Sequence, residues 1–371
     1  MCNQINDIRQ SFTSLRLDKK LRHREIAQFL KITEAELLDA HVGVSKLAAI
    51  KSTPHLARAV RLKNSWPEIL AEVKHLGEVL ALTRNDYGVH EKVGIYEPTS
   101  AQGDIGLVTG DVIDLRLFYR QWEFGFIFEE GKGDSLQRSI QFFDEFGTAV
   151  HKIFLLPQSD HIYFDELIDK FASSNQDSGI HVQDKTQTAS SSELYPPEDF
   201  SLESFSNDWE GLQDTHDFFD LLKKHRLNRL QAIELIGKHY AEPLSRESMK
   251  MIFEAAQESQ LPLMIFIGNR GAIQIHSGPI HRLIEAKGWF NILDPGFNLH
   301  LDIEKIDHIW LVRKPSKDGV ITSMELLDHS GEMIALVFGK RVPGQPEMAS
   351  WRNLIEDVLK DQVNQELCVV D

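Results

Sequence analysis

His216 stands in the segment WEGLQDTHDFFDLLKKHRL, where Trp209, Leu212, His216, Phe219 and Leu222 recur at intervals of three and four residues and fall on one helical stripe. An imidazole in the middle of an apolar face has two readings. It is a core or interface histidine bonded to a carbonyl, or it is a ligand. Its neighbours bear on the choice: an aromatic pair, Phe218 and Phe219, and a basic run, Lys223, Lys224, Arg226 and Arg229, one to three turns further on. An apolar slot with an imidazole in its wall and cations at its rim meets the needs of haem, because iron takes a neutral ring nitrogen, the macrocycle takes aromatic walls and two propionates take Arg or Lys.

Other constellations are poorer. GNRG at Gly268 to Gly271 has neither the spacing nor the lysine of a phosphate-binding loop. His90-Glu91 opens like a zinc-protease motif, but Gly94 stands where the second histidine belongs. His276 and His281 are five apart, which in a strand or turn puts them on opposite faces. Residues Arg24 to Leu37 have the apolar spacing of a helix-turn-helix, the feature of a DNA-binding regulator. Its second helix, Thr33 to Asp39, carries Glu34, Glu36 and Asp39 and no cation, so it offers nothing to phosphates.

Composition points the same way. The 371 residues carry 40 Lys plus Arg against 56 Asp plus Glu, a net charge of −16 that repels a polyanion. No nucleic-acid partner is expected. Cys2 and Cys368 are the only cysteines, which leaves no disulfide framework and no CxxC metal site. The N-terminal residues lack an apolar signal region, and the longest apolar run, Leu261 to Ile267, is far short of the roughly 20 residues that span a bilayer. A soluble cytoplasmic protein, not inserted in a membrane, is the expectation.

The elements that must position these residues come in two copies. Asn85 pairs with Asn269, and the offset between them also pairs Gly94 with Gly278, Leu115 with Leu299 and Leu117 with Leu301. It further pairs Asp134 with Asp318, Ser139 with Ser323, Asp144 with Asp328, Gly147 with Gly331 and Phe154 with Phe338. Each copy reads first as helices, at 21–40 and 66–76 and again at 209–238 and 247–257. A run of short strands follows, at 79–83, 105–109, 113–118, 124–129, 137–143 and 149–155, with counterparts at the same offset in the second copy. Consecutive hairpins make antiparallel sheet, so the fold class is α+β: two tandem structural repeats, each a large antiparallel meander with packed helices. The expected boundaries are 1–171 for the first repeat, 172–207 for a low-order linker rich in Ser, Gln, Asp and Pro, and 208–371 for the second repeat.

THDFFDLLKKHRLNR, NDYGVHEKVG, DLRLFYRQWEFGF, SIQFFDEFGTAVHK, MIFIGNRGAIQIHSG, RKPSKDGVITSMELLD and GKRVPGQPEMASWR together resemble the HemS/HmuS/ChuS family of bacterial cytoplasmic haem-utilisation proteins. The resemblance runs in order over nearly the whole chain outside the linker and includes the duplication. It implies two repeats binding one haem b, as substrate or cargo. Carried over by motif, the axial iron ligand falls on His216 and the distal arginine on Arg116. The propionate and pocket cations fall on Arg229, Lys314 and Arg341. Phe118, two residues after Arg116, shares its side of the strand and would line the pocket. Phe338 stands with Gly339, Lys340 and Arg341 where relatives often have Tyr-Gly-Gln-Arg, so a phenolic hydrogen bond is missing and a cation is added. Leu336 departs in the same way, where some relatives have a polar side chain.

Two functions follow from the resemblance. As an enzyme of iron acquisition, the chain would open haem oxidatively with an external electron donor and release iron, with Arg116 as the catalytic hydrogen-bond donor. As a chaperone or store, it would take haem arriving through an inner-membrane importer and pass it to a separate haem oxygenase.

Overall fold

The duplication is visible in the backbone. In the computed structural model, which describes residues 2–44, 57–131, 135–185, 196, 198–214, 217–342 and 344–369, the chain divides into two units. The first comprises residues 1–84, 91–189 and 269–274, the second residues 85–90, 190–268 and 275–371.

In the first unit, strands pair antiparallel in the order Ala57–Arg61, Phe124–Glu130, Gln137–Phe143, Ala149–Leu155 and Val79–Arg84. In the second, the order is Ala241–Pro243, His308–Lys314, Ile321–Leu327, Met333–Gly339 and Leu263–Gly268. Every strand of the second set begins at the residue that the Asn85-to-Asn269 offset pairs with the start of its counterpart, and the register shift at Phe142/Phe143 reappears at Leu326/Leu327. Each unit also has a three-stranded meander: Thr99–Gln102, Ile105–Thr109 and Asp114–Phe118 in the first, Leu283–Ala286, Trp289–Asp294 and Phe297–Asp302 in the second. The α+β class and the two antiparallel meanders stand as expected.

The turns use the anticipated chemistry. The Asp144 carboxylate accepts from the amides of Phe146 and Thr148, and Gly147 takes φ of +69°, where an added Cβ would lie 2.4 Å from the Thr33 hydroxyl. Asp328 and Gly331 repeat the arrangement, with Gly331 at +81° and Leu230 beside it. Glycine is required twice over, by conformation and by contact.

Helices cover the sheets through apolar faces. Trp66, Ile69 and Leu70 of Trp66–Glu72, with Phe164 and Leu167 of His161–Phe171, pack into the core of the first unit. Met249, Ile252, Phe253 and Ala256 of Arg246–Glu258, joined by Trp351 and Ile355, do the same in the second. Among the described residues no helix is long and apolar enough to cross a membrane.

One expectation fails here. The stripe from Trp209 to Leu222 is not a single helix: Leu202–Glu210 ends, and a new helix, Asp217–His225, begins. The Asp217 carboxylate accepts from the amides of Gln213 (3.3 Å) and Asp214 (2.9 Å), which ties these two residues to the start of the second helix. The buried face of the second helix is then Phe218 and Leu221, while Phe219 is 73% exposed. In the segment from 172 to 207, the Gln176 amide group donates to the Arg61 and Ser173 carbonyls, and Asp39 accepts from the amides of Gly179 and Ile180. That part of the segment is anchored, and a helix already begins at Leu202.

Candidate functional site

The strand Ile321–Leu327 is buried along its whole length, so its alternating residues face protein on both sides. Ile321, Ser323 and Glu325 share one of those sides. Register sets Ile321 opposite Lys314, Ser323 opposite Phe338, and Glu325 opposite Leu336. Pattern and pairing thus gather four strand ends and centres around one spot. A helix start completes it: Asn228 caps Arg229–Leu235 through a reciprocal box with Gln231, both bonds 2.8 Å, and this presents Arg229 from the first turn. Together Phe218, Arg229, Lys314, Ile321, Ser323, Glu325, Leu336 and Phe338 line one cavity.

The cavity holds a charged triad. Arg229 Nη1 donates to Glu325 Oε2 at 2.7 Å, and Lys314 Nζ donates to Glu325 Oε1. Ser323 Oγ adds a bond to Oε1 at 3.1 Å. Both cations also lie over the Phe218 ring, Lys314 Nζ at 4.3 Å and Arg229 Cζ at 5.0 Å from its centroid. Burial pushes the Glu325 carboxyl up, but Lys314 and then Arg229 outweigh it and hold the group at about 2. Burial pushes the Lys314 ammonium down, opposed by Glu325. The triad therefore carries one net positive charge on an apolar wall, which suits an anionic ligand with a flat hydrophobic body.

Of the residues singled out by sequence, Arg229, Lys314 and Phe338 come together here. Lys314 is 5% exposed and bonded to Glu325. Arg341 lies a short way beyond Phe338; its backbone amide points to Met264 Sδ at 3.4 Å, and its Nε is buried with no hydrogen-bond partner among the described residues. Arg116 and Phe118 belong to the first unit, on the half-buried side of Asp114–Phe118, where Leu115 and Leu117 turn inward. Arg116 Nη1 donates to Asp114 and to the Leu115 carbonyl. His216 lies outside the described residues.

Glu325 was missed. Its signal was present: an acid in the middle of the apolar strand ITSMELL.

At the equivalent positions of the first unit the chemistry is inverted. Glu130 is the counterpart of Lys314 and is bonded by Arg16 and by His23 Nε2 (2.7 Å); Gln141 stands for Glu325. Lys152, the counterpart of Leu336, is buried and donates to Glu34 Oε2 at 2.8 Å, with Arg84 on the other oxygen. Among the described residues no group of three His, Cys, Asp or Glu is placed to hold a bare metal ion.

The model of the haemin-degrading HemS.ChuX domain matches the chain twice, at residues 31–171 and 226–358. The hemin transport protein HmuS of Yersinia pestis is 35% identical over 343 residues, 92% of this chain and 93% of that protein. Among solved structures, holo-PhuS, a heme-binding protein from Pseudomonas aeruginosa, superposes with a TM-score of 0.88 at 39% identity, covering 95% of this chain and 98% of that one. ChuS, an E. coli heme oxygenase, gives a TM-score of 0.81 at 33% identity, with 94% and 98% covered.

Proposed function

The chain belongs to the haemin-degrading HemS.ChuX family, and from that premise we propose that it binds one haem b as substrate or cargo in bacterial haem utilisation. The observation that carries this reading is the cavity itself, in which two phenylalanines, Phe218 and Phe338, stand beside two cations, Arg229 and Lys314. Haem needs that combination: apolar contact for the ring and positive charge for its carboxylates. The residues fit the group. Arg341 supports the reading further, since a buried guanidinium nitrogen without a partner is a donor for a carboxylate.

In this reading His216 supplies the neutral imidazole for the iron. Arg116 supplies hydrogen-bond donors on the distal side, and its bond to Asp114 holds the guanidinium in place until it is needed. Phe118 extends the same face of its strand. The site is cytoplasmic, supplied with haem by an inner-membrane importer. Oxidative opening of the ring with an external electron donor is the reaction, consistent with the description of ChuS as a heme oxygenase. The description of HmuS as a transport protein favours a second reading, in which haem is held and handed to a separate oxygenase.

Titration with haemin tests binding: a single saturable site with an imidazole-ligated Soret spectrum is expected, and two tight sites or none would overturn the reading. Adding a reductant in air, with catalase present to remove free peroxide, separates the two functions. Catalytic loss of the Soret band means degradation, and a stable band means carriage.

A further inference from the structure

Another buried polar group lies in the first unit. Tyr96 is wholly buried, and its hydroxyl is 2.6 Å from His151 Nε2; His151 Nδ1 is 2.8 Å from the Thr83 hydroxyl. Burial pushes the His151 imidazole down to about 3, so the ring is neutral, with one nitrogen accepting and the other donating. Tyr96 donates to Nε2, and Nδ1–H donates to Thr83.

An aromatic chain leads to this group. The Trp122 ring is 6.5 Å from His151, the Tyr119 ring is 5.3 Å from Trp122, and Tyr119 follows Phe118 directly in the sequence. The His151 ring is in turn 6.1 Å from Tyr96.

The other copy does without all of it. At the positions the duplication pairs with them, Tyr96, Tyr119, Trp122, His151 and Thr83 become Ile280, Ile303, Ile306, Ala335 and Ile267, all in the core of the second unit. The second copy fills these five positions with aliphatic residues alone. Oxidisable and polar side chains at five related positions therefore need a reason other than filling space.

We propose that Tyr119, Trp122 and the Tyr96–His151 pair form a one-electron relay that draws oxidising equivalents from the surface of the strand Asp114–Phe118 into the first unit and holds them on Tyr96.

The hydrogen bonds assign the parts. Trp122 Nε1 donates to the Gly271 carbonyl at 2.9 Å, an acceptor that cannot take a proton, so an oxidised Trp122 stays a radical cation and remains a strong oxidant. Tyr119 Oη is buried with no hydrogen-bond partner among the described residues, so its phenol has nowhere to send a proton and cannot hold the hole. Tyr96 can. An electron passes from Tyr96 to the Trp122 radical cation, restoring the indole, while the phenolic proton moves to His151 Nε2, leaving a neutral tyrosyl radical beside an imidazolium.

A peroxide-derived one-electron oxidant starts the sequence by removing an electron from Trp122. A thiol- or ascorbate-class reductant ends it by returning one electron to Tyr96 as the proton comes back. Because the buried imidazole is a weak base, only a strong oxidant drives the step, and the proton returns readily. The relay is thus a protective outlet for stray oxidation and does not compete for ordinary reducing electrons.

The test uses the full chain without haem, so its failure is separate from failure of the haem reading, which shows in the haemin titration alone. Pulse radiolysis with azide radical oxidises tryptophan. Tryptophan-radical absorbance is then expected to decay by a first-order process, independent of protein concentration, as tyrosyl absorbance grows. Tyr96→Phe, which removes one oxygen, should lose most of that tyrosyl yield, and Trp122→Phe should lose it while leaving the Tyr96–His151 bond intact. His151→Gln should slow the conversion, because an amide takes no proton. Tyrosyl growth in Tyr96→Phe and Trp122→Phe equal to that of the unaltered chain would overturn the proposal, as would variants that change only the melting temperature.

Discussion

Lys314 and Glu325 are bonded diagonally along one face of the hairpin of the second unit, Lys314 standing opposite Ile321 and Glu325 opposite Trp310; both are buried, and Arg229 holds the carboxylate from its other oxygen. Removing the anion leaves both cations without compensation. Glu325→Gln is expected to destabilise the second unit by about 3–5 kcal/mol, because the buried Lys314 and the partly buried Arg229 lose their anion. Lys314→Met, which leaves Glu325 with Arg229, should cost less than Glu325→Gln. Urea unfolding of both variants measures this, and a Glu325→Gln chain as stable as the parent would refute the ordering.

Acid should act on haem before it acts on the fold. Glu325, Glu34 and Glu130 are each pushed up by burial, yet their cationic partners hold all three at about 2, below the ordinary value of 4.5. A depressed carboxyl contributes stability that is fully present above 4.5 and lost as pH falls toward 2, on the order of a few kcal/mol for each group. An iron-bound imidazole competes with protons from about pH 6.5 downward. Soret absorbance should therefore fall near pH 5 to 6 while circular dichroism stays native, and a single coincident transition would contradict the separation.

His216→Ala should abolish the imidazole-ligated spectrum, whereas His300→Ala should leave it unchanged. His300 is the second repeat's counterpart of Arg116, and its Nδ1 is bonded to Asn291 Oδ1 at 2.6 Å on the neighbouring strand. Loss of the spectrum in His300→Ala would reassign the ligand.

Arg116→Ala should lower turnover and barely move the melting temperature. The guanidinium is about one-third exposed and its ion pair with Asp114 is local, an arrangement worth about 0–1 kcal/mol. A melting shift with unchanged turnover would make Arg116 a structural residue.

How much of this was legible in the sequence depended on periodicity. Strands such as Gln137–Phe143 and Ala149–Leu155 were readable to the residue, because turns with Asp and Gly bracket them and a second copy repeats the bracket. Ala57–Arg61 and the helix His161–Phe171 were not anticipated. The helix break after Glu210 was hidden because Asp217 stops the chain through side-chain bonds to Gln213 and Asp214, which apolar spacing does not register. Arg229, Lys314 and Phe338 were found through the family motifs; Glu325, which ties two of them together, was not, because pairing across a hairpin becomes readable only once the register is known.

The inverted charges at Glu130 and Lys314 constrain how two copies of one sequence could have grown apart. A single exchange of acid for base at either position would strand a buried charge beside a like one, Arg16 in one copy or Glu325 in the other, at a cost comparable to much of a domain's stability. Divergence therefore had to pass through an uncharged residue, or to change both partners together. Gln141 stands neutral where its twin is Glu325, so a lysine at position 130 would find no carboxylate there.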